Sequence, residues 1–530
     1  MRFFLTTFFI GLFFSSFFAQ DAKKDMIIWG DAFKGSKNNN IVKTIGPLPN
    51  GVLVLKRKGS SVTSEKELFL ELYSKEDAKL KKAVSLDLRY KNKVCKFEDV
   101  VYTNGNLYLI LSFYNLGQKT KYVFYQELDV STLKVSSKLK ILYQTASENA
   151  SRFSEFYTIT SKDNSKFLFV ESTSGKKNES ESFHLSVFDA DLNVLWSKDV
   201  NLPYTESRFL IQKYLIDNEG NVYVSGRHRA GEDFLLTRKS SSMFKMFVYD
   251  NKGAFVGETD INMIPQIVTD FDFELIRPKE LVCVGFYSAK NYYSAKGIFY
   301  FRFNPFSKEV TNLNTNDIPL DILTQGYTSA KVKKAIRASE EGNVNKQVEL
   351  ENFDIDRLVV RSDGGVLMVG EEYREGNLDS FDPYSSIRSN VKTYFYGDIL
   401  VSNISPQGVA QWTARIPKNQ ETVDDGGYYS SYVMGIGGSK LVFLFNENMR
   451  NINFSDLYYT NSFRMDAVNN DTGLIRAEVD KKGQVKLSAL YDRKETGVVG
   501  VPKISEQISA SKIFVINRAN NALLFSLIKI

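Results

Sequence analysis

One phrase recurs along this chain and limits its fold more than any motif does: an apolar strand, a polar turn containing Gly, Asn or Asp, then a strongly apolar strand. It reads IVKTIGPLPNGVLVL at 41–55, FEDVVYTNGNLYLIL at 97–111, FLIQKYLIDNEGNVYVSG at 209–226 and FDIDRLVVRSDGGVLMVG at 353–370. Eight copies are present, and a second hairpin phrase follows each of the first seven, as in FHLSVFDADLNVLWSKDV at 183–200. Runs rich in Val, Ile, Phe and Tyr, bounded by Gly, Asn and Asp, are the signature of strands. Two hairpins make a four-stranded antiparallel unit, and such units repeated every roughly 55–65 residues have the pattern of β-propeller blades.

The two ends of the chain test this reading. The eighth copy is followed by only one more strand, ALLFSLIKI at 522–530, so its fourth strand is missing. DMIIWGDAF at 25–33 stands before the first repeat without a partner, and its Trp29 matches Trp196 and Trp412, which begin the last strand of their own repeats. Pairing the two ends in one blade removes an exposed sheet edge. The expected fold is all-β, a β-propeller of four-stranded antiparallel blades, with the ring closed by the N- and C-terminal strands in one blade. Eight blades are expected, or seven if one weak repeat is an elaboration. The expected domain is single, spanning 21–530, with insertions at 314–350 and 373–397.

Because successive strands are antiparallel, turns within a phrase and links between phrases emerge at opposite ends of the blades. The turns are short (LPNG, DNEG, SDGG), whereas the links are long and varied. Recognition groups concentrate on loops held by a rigid scaffold, so the link side is the expected working face.

Arg2 followed by the apolar run from Phe3 to Phe14 and then small residues reads as a secretory signal peptide over 1–20. No later stretch reaches the length of a membrane-spanning helix, so the chain is expected to be exported without spanning the membrane. The expected location is the periplasm, with an extracellular location as the alternative. Cys95 and Cys283 each sit in a strand-like apolar run and are expected as buried free thiols, a single bridge being the other possibility. The net charge of +6 arises from 68 basic and 62 acidic residues with no dense basic stripe, which argues against a nucleic-acid partner.

Chemistry-bearing patterns are few. The glycines at 435–438 do not form a phosphate loop, because the G-x-x-x-x-G-K-[ST] spacing is not met and no helix is expected to follow. Histidine occurs only as His184 and His228, too few for a histidine metal site or a nucleophile–His arrangement. DADLN at 189–193 starts like a calcium loop but lacks its glycine and distal glutamate, and reads as a turn. No catalytic residue, metal ligand or cofactor is therefore assigned. Asp354, Asp356, Asp424 and Asp425 lie near inner strands and are acid candidates by location alone.

Two insertions and one loop stand out. At 327–342 Ser329 can cap a short helix with Val332, Ala335 and Ile336 on one side and Gly342 after its end. The loop from Tyr373 to Tyr396 carries Phe381, Tyr384, Tyr394 and Phe395, and the loop at 226–243 places Arg227 and Arg229 around His228. Aromatic and arginine side chains on such loops suit protein or carbohydrate contacts, so these six residues form the candidate partner-binding set.

The repeats with SDGGVLMVGEEY, the run YFYGDILVSNISPQGVAQWTARIPK and the aromatic leader ending in FFAQ resemble a family of exported propeller-like proteins of Gram-negative bacteria. That resemblance implies a periplasmic, non-enzymatic interaction propeller. Its implied role is a plug or accessory subunit of an outer-membrane protein-secretion translocon of the type IX system, with an outer-membrane barrel as partner. No motif carries a residue of this chain into that role. The alternative is a glycan-binding or glycan-hydrolysing propeller with facing acids and aromatic platforms.

Overall fold

Period-two alternation drives the strands. In Ser180–Asp189 the buried side chains fall at every second position at first, and the strand becomes apolar on both faces further in. A strand buried on both faces is what packing one sheet between two others requires. The computed structural model describes residues 26–34, 39–58, 67–146, 154–173, 179–229, 242–382, 387–452, 463–467, 469–519 and 522–530. The expected signal peptide lies outside the described residues. Eight four-stranded antiparallel blades form, so the chain has the all-β propeller fold with the higher of the two expected blade counts.

The chain divides into two compact units. One contains blade one (strands within 39–85), blade seven (432–492) and blade eight (506–529). In blade eight the N-terminal strand Ile27–Lys34 pairs antiparallel with Ala522–Lys529, with Ile27 opposite Ile528 and Ile28 opposite Leu527, so it supplies the missing fourth strand. Trp29, Trp196 and Trp412 each occupy the third position of the outermost strand of their blade, as the sequence match implied.

The GIGG stretch lies in blade seven, where the strand Tyr432–Gly437 turns through Gly438 into Lys440–Asn448. Tyr428 and Tyr429 precede this innermost strand and pack against the core shared with blades one and eight. Its glycines serve close packing: a Cβ on Gly435 would lie 2.8 Å from Ile513 and Ile530, and one on Gly437 would lie 2.9 Å from the backbone of Ile530. Gly437→Val is expected to destabilise the chain by about 1–3 kcal/mol. A lower thermal midpoint would show this, and an unchanged one would mean that the C-terminal residue moves aside freely.

The other unit contains blades two to five and the body of blade six. Cys95 and Cys283 are buried free thiols. The Asp-rich turns have one construction in both units. Asp189, Asp217, Asp250 and Asp480 each accept backbone N–H bonds from the second and fourth residues beyond, at 2.8–3.0 Å. The DADLN carboxylate is thus occupied by its own turn, as expected for a turn and not a calcium loop.

A one-residue bulge recurs in the first strand of blades one, two, four, five and six, just before Lys43, Asp99, Lys213, Asp270 and Arg357. Bulges re-aim the side chains that follow them. Three of these residues reach the first strand of the next blade: Asp99 accepts from the Thr158 hydroxyl at 2.6 Å, Lys213 donates to Asp272 at 2.9 Å, and Asp270 accepts from the Ile355 N–H at 2.6 Å. The first strand of blade three, Ser154–Thr160, runs in unbroken register and has no such bulge.

Two insertions differ from expectation. The helix Ser329–Glu340 forms, but Thr328 caps it and its buried side chains are Ala335 and Ala338 while Ile336 is exposed. The small alanines let the helix lie close to its blade near Leu323, which leaves the larger apolar residues outside. Residues expected as a loop at 373–397 are mostly strand, since Val366–Asp382 and Ile387–Ile404 run for 17 and 18 residues. Among the described residues no helix is long and apolar enough to cross a membrane.

Candidate functional site

The first strand of blade three has no bulge, and a pocket of about 760 Å³ opens between the first strands of blades three and four. Glu155, Tyr157 and Glu181 from blade three, Glu206 from the link, and Tyr214 from blade four line it. Glu155 and Glu181 stand in the first two positions of their strands, so the acidic part lies at the link end of these blades, the end the sequence singled out.

The aromatic rings are fixed in place. Tyr157 and Tyr214 lie 5.7 Å apart between centroids, and Phe183 meets the Tyr214 ring edge-on at 5.6 Å. The Tyr157 hydroxyl donates to Glu155, and this bond, with burial second, pushes the phenol up to about 12. Burial, with Glu181 as the second cause, holds the Tyr214 phenol well above its usual range.

Glu181 is the unusual member. It is 9% exposed, and burial followed by repulsion from Glu206 lifts its carboxyl to about 7. Glu206 Oε2 and the Tyr214 hydroxyl are buried without a hydrogen-bond partner. Leaving a buried polar atom unmatched costs about 1–3 kcal/mol, so such atoms in a pocket mark a place where a ligand gains. Lys213 also lines the pocket, but its ammonium bonds to Asp272 and, at 2.7 Å, to the Phe273 carbonyl. The raised Glu181 carboxyl, the orphaned Glu206 and Tyr214 oxygens and the tyrosine rings at one concave site form a candidate ligand site.

The six residues expected to bind a partner are not gathered here. Arg227 ends up in the strand Val222–Arg229, with its guanidinium 5.3 Å from the Phe244 ring centroid, so the first residues of the loop expected from 226 are strand. Arg229 is the last residue of that strand and its side chain is outside the described residues. Tyr394 and Phe395 are half-buried strand residues with Lys392 over the first ring at 5.1 Å and Arg374 over the second at 4.2 Å. Phe381 lies in Val366–Asp382 with its side chain outside the described residues, and Tyr384 is outside them altogether.

The four candidate aspartates are also apart. Asp354 and burial together raise the Asp270 carboxyl to about 7, burial being the larger cause, in the latch between blades five and six. Asp356 is exposed further along the same strand. Asp424 and Asp425 shape a turn in the other unit, accepting from the Lys392 N–H at 2.9 Å and the Gly427 N–H at 2.8 Å. His184 is satisfied in its strand by Asp199 at 2.7 Å and Ser186 at 2.8 Å. The pocket acids Glu155, Glu181 and Glu206 were missed, although one signal existed. Glu181 occupies the same alternation phase as Phe183, Leu185 and Val187, which places a carboxylate on a buried phase.

No family model matches this chain, and no curated protein matches it. Among solved structures, the polysaccharide lyase Uly1 aligns over 93% of this chain and 99% of its own, at 9% identity and a TM-score of 0.34. An α-L-arabinanase of Penicillium chrysogenum aligns over 65% and 92%, at 9% identity and 0.31. Prolyl oligopeptidase B of Galerina marginata aligns over 95% of this chain but only 59% of its own length, at 10% identity and 0.35. At these scores the likenesses carry no argument, and the class of protein rests on the blades themselves: a propeller with a candidate ligand pocket.

Proposed function

We propose that this chain is a non-catalytic interaction propeller that engages a protein partner at the link ends of its blades. The observation that carries this reading is the hairpin of blade six. The second strand of that blade, Val366–Asp382, pairs with the first strand only as far as Glu372, and its last ten residues, 373–382, continue past that partner. On the other side the arm is braced by Gln420–Val423, which pairs with Thr393–Tyr396. Lys503 donates to the Tyr396 hydroxyl at 3.0 Å, and the Lys418 N–H donates to Asp398 at 2.8 Å. An arm braced in this way at its base suits a protein contact through its aromatic and cationic side chains.

The partner proposed is an outer-membrane barrel of a protein-secretion translocon, the chain acting in the periplasm as a plug or accessory subunit. That part follows the resemblance to exported propeller-like proteins. The test is affinity purification of the tagged full chain from its native envelope, beside a variant in which residues 376–391 are replaced by an Asn-Gly turn. The expected result is near-stoichiometric recovery of one large barrel with the full chain and at least about tenfold less with the variant, which keeps its thermal midpoint. Recovery of the full chain alone, where other envelope complexes survive, would overturn the reading. Equal recovery with both forms would remove the arm from it.

A further inference from the structure

We infer that the pocket between blades three and four is a binding site for an organic cation, an alkylammonium or guanidinium group, such as the tip of a lysine or arginine side chain. Glu155, Glu181 and Glu206 bring three carboxylates to one concavity, and the cation among its lining residues, Lys213, is bonded to Asp272 and the Phe273 carbonyl of blade five. Glu181 is nine-tenths buried and lines the pocket, its carboxylate has no hydrogen bond among the described residues, and Glu206 Oε2 and the Tyr214 hydroxyl are orphaned. A group rich in N–H donors and carrying positive charge satisfies these atoms together. The faces of Tyr157 and Tyr214 add an attraction specific to cations. Among the described residues no three acidic, histidine or cysteine side chains are grouped closely enough to hold a metal ion. The volume of about 760 Å³ exceeds what one side-chain tip fills and leaves room for the flanking backbone of a peptide.

The pocket has its own pH dependence. The groups facing Glu181 are Glu206, Glu155, Tyr157, Tyr214, Lys213 and, from blade two, Asp99. Glu206 is the one whose repulsion adds to burial in raising the Glu181 carboxyl to about 7. A bound cation favours the ionised form, so binding expels a proton from Glu181 and strengthens as pH rises through about 7. The site stands on its own geometry, and only the source of the cation, a partner protein, rests on the interaction reading.

Titration calorimetry on the full chain tests this at low salt, with the peptide acetyl-Ala-Lys-Ala-amide, its side-chain-acetylated twin, cadaverine and a neutral trisaccharide as probes. The lysine peptide is expected to bind at pH 8.5 at least about fivefold more tightly than at pH 5.5, and at least about tenfold more tightly than its acetylated twin. Glu206→Gln and Tyr214→Phe are each expected to weaken it, the first by about tenfold or more. Both variants are checked for an unchanged circular-dichroism spectrum, and if one fails to fold the other decides. Tighter binding of cadaverine than of the peptide would keep the cation site but assign it to a free amine. Equal binding of the acetylated twin, binding of the trisaccharide in preference to either amine, or no binding of any probe would each overturn the cation assignment. None of these results bears on the hairpin of blade six, which is tested separately by co-purification.

Discussion

A chain lacking residues 26–34 is expected to be unable to complete blade eight and to aggregate at concentrations where the full chain stays dispersed. The strand Ile27–Lys34 covers Ala522–Lys529, whose backbone would otherwise present an open edge, and such an edge is a template for pairing with another chain. The side-chain loss adds to this. Ile28 packs into the cluster containing Tyr73, Phe514 and Phe525, Ile27 packs against Val515 and Ile528, and Trp29 meets Tyr491 at 5.2 Å. Half-burial of three large side chains is worth about 3–4 kcal/mol at roughly 25 cal/mol per Å² of apolar surface, before any cost of the exposed edge. The expected outcome is a thermal midpoint lower by several degrees, with light scattering rising as the truncated chain warms. Adding a synthetic peptide of residues 26–34 is expected to restore part of the midpoint, since the empty position is a ready-made groove for that strand. A truncated chain as stable and as monomeric as the intact one would show that blade eight does not need its fourth strand.

Much of the fold was legible because the chain repeats itself. A single strand of alternating residues is ambiguous, but eight copies of one hairpin phrase, the last of them followed by one strand too few, and an unmatched Trp29 at the other end leave few arrangements. The pairing of Ile27 with Ile528 is what that arithmetic requires. The turns were legible for a local reason, since an Asp that accepts two backbone N–H groups needs only its own neighbours. The helix at 329–340 was legible in extent and partly in orientation: its apolar side was read as Val332, Ala335 and Ile336, of which Ala335 is buried and Val332 half-buried, whereas Ile336 is exposed and Ala338 is buried instead. The long strands of blade six were read as loop because Gly376, Asn377 and Asp379 are poor strand formers. The partner strand that holds them, Gln420–Val423, is remote in sequence.

The site was less legible because it arises where something is missing. Blades one, two, four, five and six place a charged residue after a bulge in the first strand, and in blades two, four and five it bonds to the first strand of the next blade. Blade three omits that bulge, and its seam with blade four is left to Tyr157, Tyr214 and the three glutamates. No spacing rule brings Glu155, Glu181 and Glu206 together from three different segments. Of the aspartates chosen by their nearness to inner strands, Asp354 stands beside the Asp270 latch and raises that carboxyl, and Asp425 has its carboxylate occupied by its own turn.

The pocket should therefore reduce the stability of the protein in a way that pH reveals. The Glu181 carboxyl is lifted from an ordinary 4.5 to about 7 in the folded chain. Below pH 4.5 it is protonated in both folded and unfolded states and contributes no penalty. Between pH 4.5 and 7 the unfolded chain loses the proton while the folded chain keeps it, so stability falls as pH rises; above about 7 the penalty is complete. A shift of this size corresponds to about 3 kcal/mol, reduced to about 2 kcal/mol by solvent screening at the open side of the pocket. Glu181→Gln removes the charge while keeping the shape. It is expected to raise the thermal midpoint by roughly 2–4 °C at pH 8 and to leave it unchanged at pH 4. An equal effect at both pH values would point to altered packing, and destabilisation at pH 8 would mean that the Glu181 carboxylate has a partner in the folded chain. The orphaned acceptors that make the pocket a site for a cation are thus the same groups that make it costly when empty, and a saturating cation should reduce the difference between Glu181→Gln and the parent chain at pH 8.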